Sequence, residues 1–237
     1  GGIILNGKMF NGGMNHGVEL GHAYLVDGGE PCTCGNHGCM EAYCAASALT
    51  REGRRAMQAH PESMLAEKTG SDPAKITPKL VTDCAKAGDP AATAVFDDYI
   101  EHLSSACASI YNILDPEVLA LGGGLSAAGP FLFDPLQDKV SKKCFYSTRG
   151  KLVPAVLGNE AGMIGAALLA AVLLDGEHLV HGVEQAEDRL DRASKLLGEG
   201  TGSEGFLAPT ANNVKRGYGD LLLRERGGRG NAISSIY

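Results

Sequence analysis

No apolar run in this 237-residue chain reaches the roughly 18 residues that a membrane-spanning helix requires. The opening residues lack the basic, then apolar, then small-residue order of a secretory signal. Basic charge is in the minority, with 21 Lys and Arg against 28 Asp and Glu, and the net charge is -7. Such a balance argues against nucleic acid as a partner, because gripping a phosphate backbone takes clustered Lys and Arg. Tryptophan is absent, and no internal repeat is visible. An even, dispersed set of cysteines is also lacking. Of the seven, Cys32, Cys34 and Cys39 crowd together, while Cys44, Cys84, Cys107 and Cys144 fall in helix-like segments. A secreted disulfide framework shows a paired, spread set; free thiols and a metal-like cluster fit a reducing, cytoplasmic setting.

What is present is ordinary globular material: 44% hydrophobic and 21% charged residues, enough to bury a sizeable core. The 33 glycines suggest tight turns or close backbone approach to a ligand. Ile3–Leu5 and Lys8–Phe10 around Asn6-Gly7 read as a hairpin with a type I′ turn. A polar loop from Asn11 to Gly21 follows, then a short strand over Ala23–Val26 and a knuckle-like loop holding the cysteines. One helix is expected over Cys39–His60, broken at Pro61, and another over Thr77–Ala87. A stronger helix starts at Asp89-Pro90, where Phe96, Ile100, Leu103, Cys107, Ile110 and Leu114 recur in steps of four and three, forming one apolar stripe. Asp115-Pro116 stops it. Strand Glu117–Leu121, a glycine turn at Gly122–Gly124, helix Pro130–Lys143, strand Leu152–Leu157 and helix Glu160–Leu174 complete the alternation of an α/β domain. Beyond Asp175 the texture changes. Val183–Leu197 has a helical but mostly polar pattern, Gly198–Gly205 is Gly, Glu, Ser and Thr, and the rest has little core-forming content. Residues 175–237 are expected to be a mobile or partly docked tail.

The first candidate site is chemical. Three thiols and an imidazole make up a Cys₃His set, a common closed tetrahedral zinc shell, and soft sulfur ligands favour zinc over magnesium or calcium. Cys32, Cys34 and Cys39 supply the sulfur, and Gly35 and Gly38 let the backbone fold tightly between the last two. His22 and His37 both compete for the fourth position. The bland alternative is a group of buried free thiols, with His22 satisfied by a backbone group.

The run Gly17-Val18-Glu19-Leu20-Gly21-His22, followed by Cys32-Thr33-Cys34-Gly35-Asn36-His37-Gly38-Cys39-Met40-Glu41, resembles the signature of the ROK family. That family contains glucokinases, other hexose and N-acylhexosamine kinases, and sugar-responsive repressors. The resemblance continues at Leu121-Gly122-Gly123-Gly124-Leu125-Ser126 and at Gly158-Asn159-Glu160-Ala161-Gly162-Met163-Ile164-Gly165-Ala166-Ala167, so it spans about Gly1 to Leu174. It implies an actin-like, hexokinase-type ATPase lobe with a ribonuclease H-like core and a zinc-knuckle loop, making residues 1–174 the C-terminal lobe of a sugar kinase.

The roles follow position by position. Glu19 and Glu41 match sugar-binding glutamates, and carboxylates are strong acceptors that can each take two neighbouring hydroxyls. His22 matches a residue with one ring nitrogen on zinc and the other toward sugar, which ranks it above His37. The zinc is structural. Gly1 and Gly2 look like the end of a phosphate-binding turn, and Gly122, Gly123 and Gly124 like the adenosine-side turn. ATP with magnesium is the implied co-substrate, a hexose or N-acylhexosamine the acceptor, and a homo-oligomer the implied assembly. The family's general base, an Asp on an N-terminal lobe, is not recognisable here and is expected upstream. Turnover by this chain alone is therefore not expected, and a truncated sequence is the leading explanation. A non-catalytic sugar sensor or regulatory module of the same family is the competing function.

Overall fold

A computed structural model describes residues 1–157, 160–166 and 232–234. The chain begins with the hairpin that Asn6-Gly7 dictates. Strands β1 (Gly2–Leu5) and β2 (Lys8–Met9) pair antiparallel, with Leu5 opposite Lys8. Both turn residues have positive φ, 52° at Asn6 and 74° at Gly7, as a type I′ turn requires. Strands β3 (Val118–Leu121) and β4 (Lys151–Pro154) pair parallel, and β5 (Ala232–Ser234) completes a five-stranded sheet of order β2-β1-β5-β3-β4. β5 runs antiparallel to β1 and parallel to β3. It comes from the expected tail, and nothing in its sequence announced it as the middle strand.

The helical layer is α1 (Met40–Cys44), α2 (Ala46–Ala59), α3 (Met64–Thr69), α4 (Pro78–Lys86), α5 (Pro90–Leu114) and α6 (Pro130–Lys143). α5 is its spine and packs against α1, α2, α4 and α6. The stripe expected from periodicity is the one buried: Phe96, Ile100, Leu103, Cys107 and Ile110 are each at most 2% exposed, and Leu114 is half-buried against them. Asp115 ends the helix in the left-handed region at φ 42°, which Asp tolerates better than most residues. Among the described residues, no helix is long and apolar enough to cross a membrane.

Four expectations need correction. The helix over Cys39–His60 is two helices, because Ala45 is extended at ψ 160°. Nothing local breaks it. Tertiary donors take the carbonyls freed there, with the Tyr99 hydroxyl donating to Cys44 O (2.8 Å) and Arg51 Nη1 to Ala42 O (2.8 Å). Ala23–Val26 is not a strand. It forms a single bridge, Tyr24 to Cys39, and the N–H groups of Leu25 and Val26 both donate to Gly38 O, so no ladder can propagate. Between the break at Pro61 and Thr77, where no helix is expected, α3 forms, with Ser63 capping its start and Gly70, at φ 64°, its end. β4 stops at Pro154, short of Leu157, because its partner β3 ends at Leu121, whose carbonyl takes the last bond, from Ala155 N (2.8 Å). Residues 161–166 are helical as expected, but the expected continuation to Leu174, the helical pattern of Val183–Leu197 and the segment Gly198–Gly205 lie outside the described residues.

Two electrostatic details hold the helices in place. Asp89, 4% exposed, caps α5 by accepting from Ala92 N (2.8 Å) and also accepts from Met64 N at the start of α3 (2.9 Å). Replacing it with Ala orphans two buried donors, so Asp89→Ala should lower stability by about 2–3 kcal/mol in denaturant titration, and Asp89→Asn by less. Glu101 on α5 pairs with Lys139 (2.6 Å) and Lys143 of α6. Hydrogen bonds from Lys139 and then Lys143 hold its carboxyl down to about 2. A depressed carboxylate pKa stabilises the fold above the unfolded value, and that contribution disappears as pH falls through the folded one. The Tm gap between wild type and Glu101→Gln should therefore be small but open at neutral pH, and should close between about 4.5 and about 2.

Candidate functional site

The hairpin returns the chain to the edge of the sheet where β1 begins, and Phe10 N donates to Ile3 O there. From that edge the loop runs to a 3-10 turn, Leu20–His22, which Glu19 immediately precedes without a side-chain cap. His22 N donates to Glu19 O (3.0 Å), so the exposed Glu19 and the half-buried His22 occupy the two ends of one tight turn. Met40 N donates to Ala23 O (2.8 Å), which fastens this turn to the start of α1, whose second residue is Glu41.

Between them the chain folds back over itself. Cys32 N donates to Asn36 O, Gly35 N to Cys32 O, and Gly38 N to Glu30 O. Gly38 is a steric necessity: its φ is +83°, and a Cβ there would fall 1.7 Å from Val26 O. The result brings ligand atoms of His22, Cys32, Cys34 and Cys39 within 4.8 Å of one another. His22 Nδ1 is 3.6 Å from Cys32 Sγ, and Cys34 Sγ is 3.7 Å from Cys39 Sγ. In a tetrahedral zinc shell two thiolate sulfurs lie about 3.8 Å apart, and a sulfur and an imidazole nitrogen about 3.6 Å. The donor set fits that ion in chemistry, and these two separations match its shell. His37 is exposed, bridged through its backbone to Pro31, and is not in the group. The thiols are not a buried cluster either, since Cys34 is exposed and Cys32 half-buried. A hydrogen bond from the Asn36 backbone lowers the Cys34 pKa, whereas desolvation and then the neighbouring thiols push Cys39 up to about 12.

Contacts that sequence reading missed hold this loop on the helices. Thr33 Oγ1 donates to Glu41 Oε1 (2.7 Å), and the same carboxylate oxygen lies 3.8 Å from Cys32 Sγ. Glu30 receives Arg55 Nη1 (2.6 Å) and Nη2 (3.2 Å) and faces Arg51 Nε at 3.5 Å. The Tyr43 hydroxyl accepts from Glu30 N (2.8 Å). Arg51 and Arg55 are visible in the sequence as an i, i+4 pair, but their shared partner far upstream has no local signal.

Two glycine segments lie at the same end of the sheet. Ser234 of β5 is opposite Gly2 on one side and Ala120 on the other, so the start of β1 at Gly2 lies one strand away from the end of β3, which Gly122, Gly123 and Gly124 follow. The latter enter a 3-10 turn, Gly124–Ala128, where the Ser126 hydroxyl donates to Gly123 O (2.7 Å). Backbone N–H groups at strand ends of this kind are suited to approach a nucleotide.

Comparison with known proteins places this geometry. The chain is 34% identical over 178 residues to a glucokinase of Thermotoga maritima, covering 74% of this chain and 56% of that protein. It is 25% identical over 181 residues to the DNA-binding transcriptional repressor Mlc of Escherichia coli, covering 76% and 43%. Among solved structures it resembles a ROK family glucokinase from Streptomyces griseus in complex with glucose and AMPPNP, with TM-score 0.65, 30% identity, and 71% and 55% of the two chains covered. The chain thus spans about half the length of the glucokinases it matches. Its α/β architecture is that of the actin-like fold of these sugar kinases. The family profile "ROK family" matches residues 1–172, and the chain belongs to the ROK family.

Proposed function

We propose that this chain forms the sugar-facing, zinc-bearing part of an ATP-dependent sugar kinase of the glucokinase kind, acting on a hexose or N-acylhexosamine. The observation that carries the reading is the convergence of His22, Cys32, Cys34 and Cys39 beside Glu41. The similarity to glucokinases supports the substrate class. His22, Cys32, Cys34 and Cys39 would hold a zinc ion, which when bound closes the knuckle as a structural cross-link and takes no part in the transfer.

The chain's own residues then do the recognition. Nδ1 of His22 faces Cys32, which leaves Nε2 for a sugar hydroxyl. The Glu41 carboxylate, steadied by Thr33, accepts from hydroxyls, and Glu19 does so from the other end of the His22 turn. Because the loop is fixed before sugar arrives, little ordering entropy is lost on binding. At the glycine edge, Gly1–Gly2 and Gly122–Gly124 approach the nucleotide phosphates and adenosine through backbone N–H groups, and magnesium accompanies the ATP. No residue assigned here takes the proton of the attacking hydroxyl, so binding, and not turnover, is the readout suited to this chain. A second reading, a sugar sensor without phosphoryl transfer, is favoured by the similarity to Mlc. Binding of a non-hydrolysable ATP analogue separates the two, since a pure sensor has no need of it.

Metal analysis of protein purified without chelator should return about one zinc per chain, and Cys34→Ser should lose it with a lowered Tm. Zinc-free wild-type protein of unchanged stability would refute the metal assignment. Glu41→Ala should weaken glucose binding by about tenfold or more in calorimetry while zinc content stays the same. Equal affinities of variant and wild type would remove Glu41 from the sugar site.

A further inference from the structure

The loop that carries the cysteines has little packing of its own. Residues 31–37 are exposed apart from the half-buried Cys32. An ion held by His22, Cys32, Cys34 and Cys39 would tie the loop to the Leu20–His22 turn and to the start of α1, and would leave its placement against α2 open. Nor is the space behind the loop filled. A cavity of about 190 Å³ is lined there by Glu30, Tyr43, Arg51 and Arg55 and, from α5, by Tyr99 and His102. Close packing therefore does not decide where the loop stands, and polar contacts have to.

Glu30 is the residue through which those contacts run, and all of its hydrogen-bonding groups are engaged. Its N–H donates to the Tyr43 hydroxyl (2.8 Å), and its carbonyl accepts from Gly38 N (2.8 Å). Its carboxylate takes the Arg55 guanidinium as a fork, with Nη1 on Oε1 at 2.6 Å and Nη2 on Oε2 at 3.2 Å, and Arg51 Nε lies 3.5 Å from Oε2. Two-point pairing of this kind fixes direction as well as distance. Glu30 stands two residues before Cys32, and its carbonyl meets the residue before Cys39, so both ends of the cysteine loop pass through it. Gly29 permits the approach, since a Cβ there would fall 2.0 Å from the Tyr43 hydroxyl. The partners are themselves anchored: the Tyr43 ring lies 4.5 Å from that of His102 on α5, and Arg51 also donates to Ala42 O of α1.

We propose that Glu30 is a positioning residue for the sugar site: its fork with Arg55 sets where the cysteine loop stands against α1, and so where Thr33 meets Glu41, without either partner touching sugar. Glu41 lies two residues before Tyr43 on the same short helix, and its carboxylate accepts from Thr33 on the loop (2.7 Å). A shift of the loop moves that donor and, through Cys32, the neighbour of His22 Nδ1 at 3.6 Å. Recognition by carboxylates depends on such placement being held to a fraction of an ångström. The pair is partly exposed, with side-chain accessibility of 23% at Glu30 and 54% at Arg55, so its loss changes stability little and the effect falls on sugar affinity. The role rests on Glu41 and His22 binding sugar, as proposed.

A double-mutant cycle on the full chain tests this role, with glucose affinity read by calorimetry and zinc per chain measured on the same samples. Glu30→Gln and Arg55→Met should each weaken glucose binding by about fivefold, with zinc content unchanged. The double variant should be no weaker than about fivefold either, because a fork broken from one side cannot be broken again from the other. Lys79→Met, which removes an exposed ion pair with Asp83 away from the loop, should bind glucose as wild type does. Wild-type affinity in either single variant overturns the proposal. So does a double variant weakened by about 25-fold, since the two residues then act independently. Loss of zinc together with affinity overturns it as well, because Glu30 then acts by retaining metal and not by placing the loop. If the wild type itself binds no hexose, the sugar reading falls and this role falls with it, a result distinct from unchanged affinity in the variants.

Discussion

Four side chains from three stretches of chain converge to within 4.8 Å of one another, and the functional reading depends on that convergence. His22 comes from a 3-10 turn, Cys32 and Cys34 from a folded-back loop, and Cys39 from the cap of α1. Three sulfurs at such range repel as thiolates and attract a cation together. A divalent ion of tetrahedral preference would meet all four donors at once. The donors come from three pieces of backbone, so one point of attachment would order Glu19, His22 and Glu41 together. A site built this way needs no large hydrophobic core of its own, which suits a loop whose residues are largely exposed.

The loop still has to be registered against the domain, and that is the work of polar contacts to the helices. The break at Ala45 turns α1 away from the line of α2, and the carbonyls it frees are met by Tyr99 from α5 and Arg51 from α2. Arg51 and Arg55 then reach Glu30 at the base of the loop. These ion pairs are partly exposed, so their value lies more in geometry than in stability. The long helix α5 provides the rigid reference. It buries one face along most of its length, and it contacts both the helix that carries Glu41 and the helix that flanks the parallel strands. The helix that follows the cysteine loop and the helix that follows the Gly122–Gly124 turn are thereby held to one frame.

How far the sequence could be read depends on the range of the cause. The Asn6-Gly7 hairpin, the stripe on α5, the stop at Asp115-Pro116 and the strand at Val118–Leu121 were legible because a few neighbouring residues dictate each of them. The cysteine cluster was legible as chemistry, and similarity to a known signature chose His22 over His37. The break at Ala45 was invisible, since the residues around it are good helix formers and the cause sits on α5 and on the following helix. The same is true of Glu30 with its arginines and of Thr33 with Glu41, whose partners are brought together only by folding.

By itself, then, the sequence determined the local elements, the α/β alternation and the residue types of the Cys₃His group. Tertiary structure brought His22 up to the sulfurs and left His37 apart, and it decided where the first long helix divides and which strand joins the two halves of the sheet. The physical reason is separation along the chain. Turn chemistry and hydrophobic period act over a few residues, whereas a ligand shell and a central strand are satisfied by donors that only the folded backbone brings within reach.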